Sequence, residues 1–379
     1  MKFFNKIQQL HSTDPGFIVR LVCTCWIITK LLCYKLWLAY RFFPLVPVHD
    51  ALHVIPPVIH LLLLCISLTG MAGFVFFPSK KMGWVILIAE VLACLLDQNR
   101  WQPWEYQFLC MLGAYLFIEN ENKKQFCWQA ILVGLYFFSG LNKCDHHFIY
   151  NVWNNLLLKN LAGIAQPGTW LLRAGYCIPM IEMFAAIALC FGRSRNLAAW
   201  LLVLMHIFNL LVFGPLGLRT NEVIWPWNLL MPILVISLFY KKNAGHFTLP
   251  LMKPIYTIII LIAWWALPWL QLAGYWDKYL SGVLYSGRVE YLYICTDDLN
   301  AHYRLSGCFT KSQEKMECIT ALSVYQWGMQ EMNSAPYPEK RVYRSIAADF
   351  NKLYPKAVNH FYLYRGGFSK KITEFPIRN

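Results

Sequence analysis

The sequence predicts a polytopic α-helical membrane protein of about nine transmembrane helices carrying a small α+β extracytoplasmic module at its C-terminal end. Three observations carry this. Hydrophobic residues make up 58% of the chain and charged residues 14%, against about 25% charged in an ordinary soluble domain. Apolar stretches near the roughly 20 residues needed to cross a hydrocarbon core recur through the first 272 residues. From about residue 273 the composition turns to an ordinary soluble mix. The chain therefore divides into a helical bundle, 1–272, and a soluble module, 273–379.

Nine apolar stretches are bracketed by charges and turn residues: 21–40, 54–78, 83–97, 104–118, 127–141, 169–191, 195–214, 223–240 and 254–272. The third to fifth are short for a full crossing, so eight spans with a re-entrant piece is the alternative count. The polar first sixteen residues argue against a secretory leader. Orientation follows from the loops, because cytoplasmic loops retain Lys and Arg. With nine spans one side collects Lys2, Lys6, Lys80, Lys81, Lys123, Lys124, Arg193, Arg195, Lys241, Lys242 and Lys253. The other collects Arg41, Arg100, Lys143, Lys159 and Arg219. This asymmetry puts the N-terminus in the cytoplasm and the module outside it. The net charge of +14 is spread through both parts without a dense basic run, so it reads as topology signal, and nucleic acid is not expected as a partner.

In the module, Tyr291–Cys295 and His360–Tyr364 read as strands that pair with each other, being aromatic and β-branched runs between turn residues. Ser312–Met332 and Pro338–Leu353 read as helices, the second opening with Pro-Glu in its first turn. Ten of the thirteen cysteines lie before residue 200, mostly in apolar stretches where they act as small hydrophobes. No pair has metal-ligand spacing, and no metal is expected. Cys295, Cys308 and Cys318 are odd in number, allowing one disulfide with a thiol left over.

Ionisable groups inside a bilayer cost a few kcal/mol each and ordinarily face a bundle interior or a wet cavity. On the topology above, His60, Asp97, Arg100, Lys143 and His206 lie toward the outer side, with Glu90 and Glu182 nearer mid-depth. Three stretches gather them. Tyr136-Phe-Phe-Ser-Gly-Leu-Asn-Lys-Cys-Asp145 ends an aromatic helix in a small pair that permits close helix approach. There Lys143 either turns inward as a desolvated base or snorkels to the interface and pairs with Asp145. His206 and Asn209, three apart, share a helix face and suit a quinone oxygen, a carbonyl or a carboxylate, or else an interhelical pin. Asn221, Trp225 and Asn228 add polar and aromatic edges nearby. Asp97-Gln-Asn-Arg-Trp-Gln-Pro-Trp-Glu-Tyr106 is a charged turn in which Asp97 and Arg100 can pair and Trp101 and Trp104 sit as interfacial aromatics.

These stretches resemble, in order and spacing, the horizontally transferred transmembrane (HTTM) domain family, which is related to the vitamin K-dependent gamma-glutamyl carboxylase. The motifs are Trp-x-x-x-x-Tyr at Trp101 and Tyr106, Gly-x-x-Lys-x-Asp at Gly140, Lys143 and Asp145, and His-x-x-Asn at His206 and Asn209, covering roughly residues 15–272. The resemblance implies a carboxylase-like lyase or oxidoreductase with its chemistry on the extracytoplasmic side. It implies a reduced quinone as cofactor, deprotonated by the lysine matched at Lys143. In the carboxylase, oxygen then converts the quinone to an epoxide through a strongly basic intermediate that takes a glutamate proton before carbon dioxide adds. Trp104 stands where the carboxylase has a histidine, and a tail of about 100 residues replaces its larger extracytoplasmic region.

The resulting expectation is a quinone- or lipid-accessible pocket, with Lys143 and His206 catalytic and Asn209, Asp97, Arg100, Trp101 and Tyr106 holding the cofactor. The partners expected are the lipid bilayer, a quinone or lipid, and a protein or peptide at the module. The rival reading is a non-enzymatic membrane scaffold, or a lipid or small-molecule transporter, whose tail docks a partner. A lipid-modifying transferase finds no paired-carboxylate or phosphate-cradling motif to support it.

Overall fold

Backbone amides in an apolar stretch have no water to bond, so each stretch closes its own hydrogen bonds as helix. The computed structural model describes residues 16–219, 221–241, 255–283, 289–313, 315–365 and 371–376. Lys2, Lys6, Lys242 and Lys253, which contribute to the loop-charge asymmetry, lie outside them. The helices are α1 (Phe17–Leu32), α2 (Pro57–Phe76), α3 (Lys80–Leu96), α4 (Pro103–Phe117), α5 (Glu121–Lys143), α6 (Thr169–Ala188), α7 (Arg195–Phe213), α8 (Ile224–Phe239) and α9 (Ile255–Leu272). Each matches one apolar stretch of the sequence. Of these, α2, α6, α7 and α9 are long and apolar enough to cross a membrane. The 15 residues of α4 rise only about 22 Å, short of a roughly 30 Å core. The helix α5 starts earlier than its apolar run, because the Asn120 side chain caps it by accepting from Lys123 N–H at 3.1 Å. Between α5 and α6 a π-helical segment, Phe148–Leu161, stands where no apolar run signals a helix.

The tail folds as a five-stranded antiparallel sheet in the order β2-β3-β1-β4-β5, from β1 (Tyr291–Thr296), β2 (Phe309–Lys311), β3 (Thr320–Ser323), β4 (Asn359–Arg365) and β5 (Lys371–Glu374). The two strands expected from the sequence are β1 and β4, and they pair directly, with Tyr291 opposite Tyr364 and Ile294 opposite Phe361. The expected helix over Ser312–Met332 is corrected. After the short helix α10 (Leu299–Arg304), only Val324–Met332 (α11) is helical here, while Thr320–Ser323 joins the sheet. A Cys295–Cys318 disulfide ties the segment before β3 to β1, and Ser323 caps α11 by accepting from Gln326 N–H at 3.3 Å. Cys308 keeps its thiol, buried against Gln330. Helix α12 (Lys340–Leu353) begins at Lys340 rather than Pro338, with Glu339 still extended. Its Val342, Tyr343, Ile346, Ala347 and Phe350 recur at helical spacing and are all buried.

One hydrophobic cluster runs from the bundle into the tail. Trp327 of α11 lies between Phe42 and Phe43, with ring centroids at 5.6 and 4.9 Å. Polar contacts reinforce the seam. Arg341 forms a two-point ion pair with Asp277, and Tyr337 donates its hydroxyl to Asp277 at 2.8 Å. Lys278 pairs with Glu339 at 3.3 Å.

Burial opposes ionisation of Asp277, but the hydrogen bonds from Arg341 and Tyr337 outweigh it and hold the carboxyl below its ordinary range. A depressed carboxyl contributes stability above its unfolded pKa of about 3.9 and loses it as pH falls through the lower folded value. The seam's Asp277 contribution is therefore intact from pH 5 to 8 and lost below about pH 4. Arg341 is half exposed, so Arg341→Ala should loosen the seam by only about 1 kcal/mol. Hydrogen exchange across 334–341 measures this. Faster exchange in the variant at pH 7 is expected, and unchanged exchange would remove the seam's electrostatic component.

Candidate functional site

Helix α5 sets the site. Tyr136, Ser139 and Lys143 stand three and four residues apart and so share one face. Beside them Gly140 lets α6 approach closely, since a Cβ there would lie 2.7 Å from Pro179 O and 2.8 Å from Met183 N. That approach brings Glu182 of α6 to Lys143, Nζ to Oε2 at 2.8 Å, and the ammonium also donates to Ser139 Oγ at 2.8 Å. The lysine's ionic partner is thus Glu182 and not Asp145, whose carboxylate instead accepts from Phe148 N–H at 2.9 Å and starts the π-helical segment. Lys143 keeps 15% of its side-chain surface open, Glu182 only 4%.

Across from this pair, His206 of α7 bonds the Tyr136 hydroxyl through Nε2 at 2.8 Å and Asn228 Oδ1 of α8 through Nδ1 at 2.8 Å. These side chains, together with Asn209 and Asn221, line a cavity of about 230 Å³. This is below the roughly 300–1,000 Å³ of drug-sized sites. The tail completes the cavity, presenting Tyr279, Tyr291, Tyr325 and Tyr343 to it. The first turn of the tail is pinned to α5, Asn142 Nδ2 donating to Ser281 O at 3.1 Å. Gly282 there has φ +66° and a Cβ position 3.4 Å from Ser139 N, a close approach in a conformation that favours glycine.

The expected site residues divide into two groups. Lys143, His206 and Asn209 line this cavity together, whereas Asp97, Arg100, Trp101 and Tyr106 do not. Asp97 pairs with Arg41 rather than Arg100, and its other oxygen accepts from Val46 N–H at 3.2 Å and Asn99 Nδ2 at 2.9 Å. Arg100 is fully buried and spends its donors on the carbonyls of Leu36, Trp37 and Ala93 and on His60 Nδ1. Four of its five N–H hydrogens are thus committed inside the core, away from the cavity. Trp101 packs against the core, and Tyr106 stacks on Trp264 at 4.9 Å. The same turn serves the tail instead: Asn99 Oδ1 accepts from Tyr337 N–H at 3.0 Å, Gln102 Nε2 donates to Ala335 O at 2.9 Å, and Gln98 Oε1 accepts from Arg341 Nε at 2.7 Å. Of this stretch Gln102, Pro103 and Trp104 reach the cavity.

Glu182 and Asn228 are visible in the sequence as polar groups near the site and Tyr136 only as part of an aromatic stretch, but none of their pairings is, since the partners lie on other helices. The available signals were a carboxylate stranded in an apolar stretch at Glu182 and the small Ser139–Gly140 pair that admits it.

No protein-family model, curated protein or solved structure matches the chain.

Gly140→Val should force α5 and α6 apart, because the atoms met are backbone. Overpacking of this kind costs roughly 1–3 kcal/mol. Thermal unfolding in detergent should show a lower midpoint. An unchanged midpoint would mean that the helices do not depend on this contact.

Proposed function

We propose that the protein is a multi-pass membrane enzyme of about nine spans that abstracts a proton from a reduced quinone, in the manner of the HTTM and gamma-glutamyl carboxylase families it resembles. The observation that carries the reading is the Lys143–Glu182 pair opening onto a cavity also lined by His206 and Asn209. Aromatic walls with polar groups at both ends suit a ring with oxygen substituents, and the volume suits a head group rather than a whole lipid. A reduced quinone, when bound, supplies an acidic hydroxyl and two electrons.

The chain's own part is proton handling. The amine of Lys143 becomes free when its proton moves to Glu182, 2.8 Å away. A free amine near a ligand hydroxyl is a base, and the ammonium it becomes faces the oxyanion it has made, so the cavity's total charge does not change. Ser139 Oγ, also at 2.8 Å, fixes where Nζ points. Both Lys143→Met and Lys143→Arg should lower turnover roughly 10²–10⁴-fold, since guanidinium does not release its proton at neutral pH. Oxygen-dependent oxidation of a short-chain ubiquinol by proteoliposomes, followed by ultraviolet absorbance, measures this. Wild-type rates in Lys143→Arg would remove the base and favour a scaffold.

The proposed orientation places the N-terminus in the cytoplasm and the tail outside. The loop charges support it, as does the Cys295–Cys318 disulfide, a bond favoured in oxidising compartments. A cysteine introduced at the exposed Tyr303 should take a membrane-impermeant maleimide on intact spheroplasts. Labelling only after membrane rupture would reverse the orientation.

A further inference from the structure

Lys143 explains one end of the cavity, while the buried Tyr136, His206 and Asn228 at the other have no part in that chemistry. Their hydrogen bonds settle one another's direction. Asn228 Nδ2 donates to Ile224 O at 2.9 Å, so Oδ1 is the atom facing His206. A carboxamide oxygen only accepts, and Nδ1 of His206 therefore carries the hydrogen. In the neutral ring Nε2 is then a lone pair, and the Tyr136 hydroxyl donates into it at 2.8 Å. With its proton committed, the tyrosine oxygen has only lone pairs to offer the cavity.

We infer that Tyr136, His206 and Asn228 form a specificity relay that selects a ligand bearing an O–H or N–H at this end of the cavity and rejects the carbonyl form of the same ring. The inference rests on the reading of the cavity as a quinol site and names the residues that would tell the reduced ring from the oxidised one. Tyr136 lies seven residues before Lys143 on one helix face, a rise of about 10.5 Å, so the two polar groups meet opposite ends of a bound ring. When the ligand's hydroxyl gives up its proton to Tyr136 Oη, the tyrosine's own proton passes to His206 Nε2. The imidazolium's second N–H stays on Asn228 Oδ1. A ligand carbonyl would instead set its oxygen against the tyrosine oxygen, two acceptors with no proton between them.

Two measurements test this. Magic-angle-spinning spectra of [15N]histidine-labelled full-length protein at pH 7, with His206 assigned by difference against His206→Gln, should show the neutral Nδ1–H tautomer. The Nε2–H tautomer or an imidazolium overturns the inference without any ligand present. Tryptophan fluorescence titrations under argon then compare durohydroquinone with duroquinone, Trp104 and Trp227 both lining the cavity. The hydroquinone should bind roughly tenfold more tightly, and Tyr136→Phe should abolish the preference while keeping duroquinone affinity. Equal binding of both compounds by the wild type, or a preference that survives Tyr136→Phe, overturns the relay and leaves the cavity reading standing. If neither compound binds, the cavity reading fails and the relay's selectivity with it. Should Tyr136→Phe not fold, the wild-type tautomer and preference decide.

Discussion

A charge taken into the interior of an apolar bundle persists only with a partner, because removing one member of a buried pair costs on the order of 3–5 kcal/mol. That constraint organises this protein. Lys30 is bound to Glu90 at 2.8 Å and Arg41 to Asp97, all four without exposed side-chain surface. Glu90 is further satisfied by Ser67, and Lys30 lies over the Trp37 ring. These pairs tie α1 and the segment after it to α3, and nothing can reach them. Lys143 and Glu182 obey the same rule with one difference: their pair lines the cavity, which the other two pairs do not. The proposed chemistry grows from that difference, since a charge pair reachable by a ligand can exchange a proton with it.

The bundle does not close the cavity alone. One of its walls is the tail, held by a seam that includes the turn Asp97–Gln102 on the bundle side. The turn's own geometry is fixed by the closed pairs beneath it, Asp97 by Arg41 and Arg100 by three carbonyls. Rigid, satisfied charges thus position Asn99 and Gln102, which position the tail, which presents its tyrosines to the site. The turn contributes to the site by what it holds, and Trp104 contributes by lining the wall directly.

Most of the helical layout was legible in the sequence because apolar runs and helical spans have the same length scale. The strands β1 and β4 were legible through their aromatic and β-branched composition. The segment Ser312–Met332 was not, because its sheet membership depends on a disulfide to Cys295 and on β1 as a partner, both distant in sequence. Lys143, His206 and Asn209 could be read as cavity residues because polar side chains in apolar helices have few other places to go. The pairings could not. Asp145 is near Lys143 in sequence, yet Glu182 is the ionic partner because Gly140 lets α6 approach, and Asp97 likewise pairs with the distant Arg41 in place of its neighbour Arg100. Neighbours along a helix end are visible to spacing; neighbours across a helix contact depend on which small residue admits which helix.

On the proposed function, the cavity between bundle and tail holds a small reduced ring compound against Lys143 and Tyr136. Native mass spectrometry of the protein purified from membranes under argon, with extraction and identification of whatever stays bound, tests it most directly. A quinol-class molecule is expected on the wild type at near-unit stoichiometry and should be absent from a Lys143→Met, Tyr136→Phe double variant that still unfolds cooperatively. A bound molecule of that class retained by the folded double variant, or a wild type that carries phospholipid alone, would contradict it.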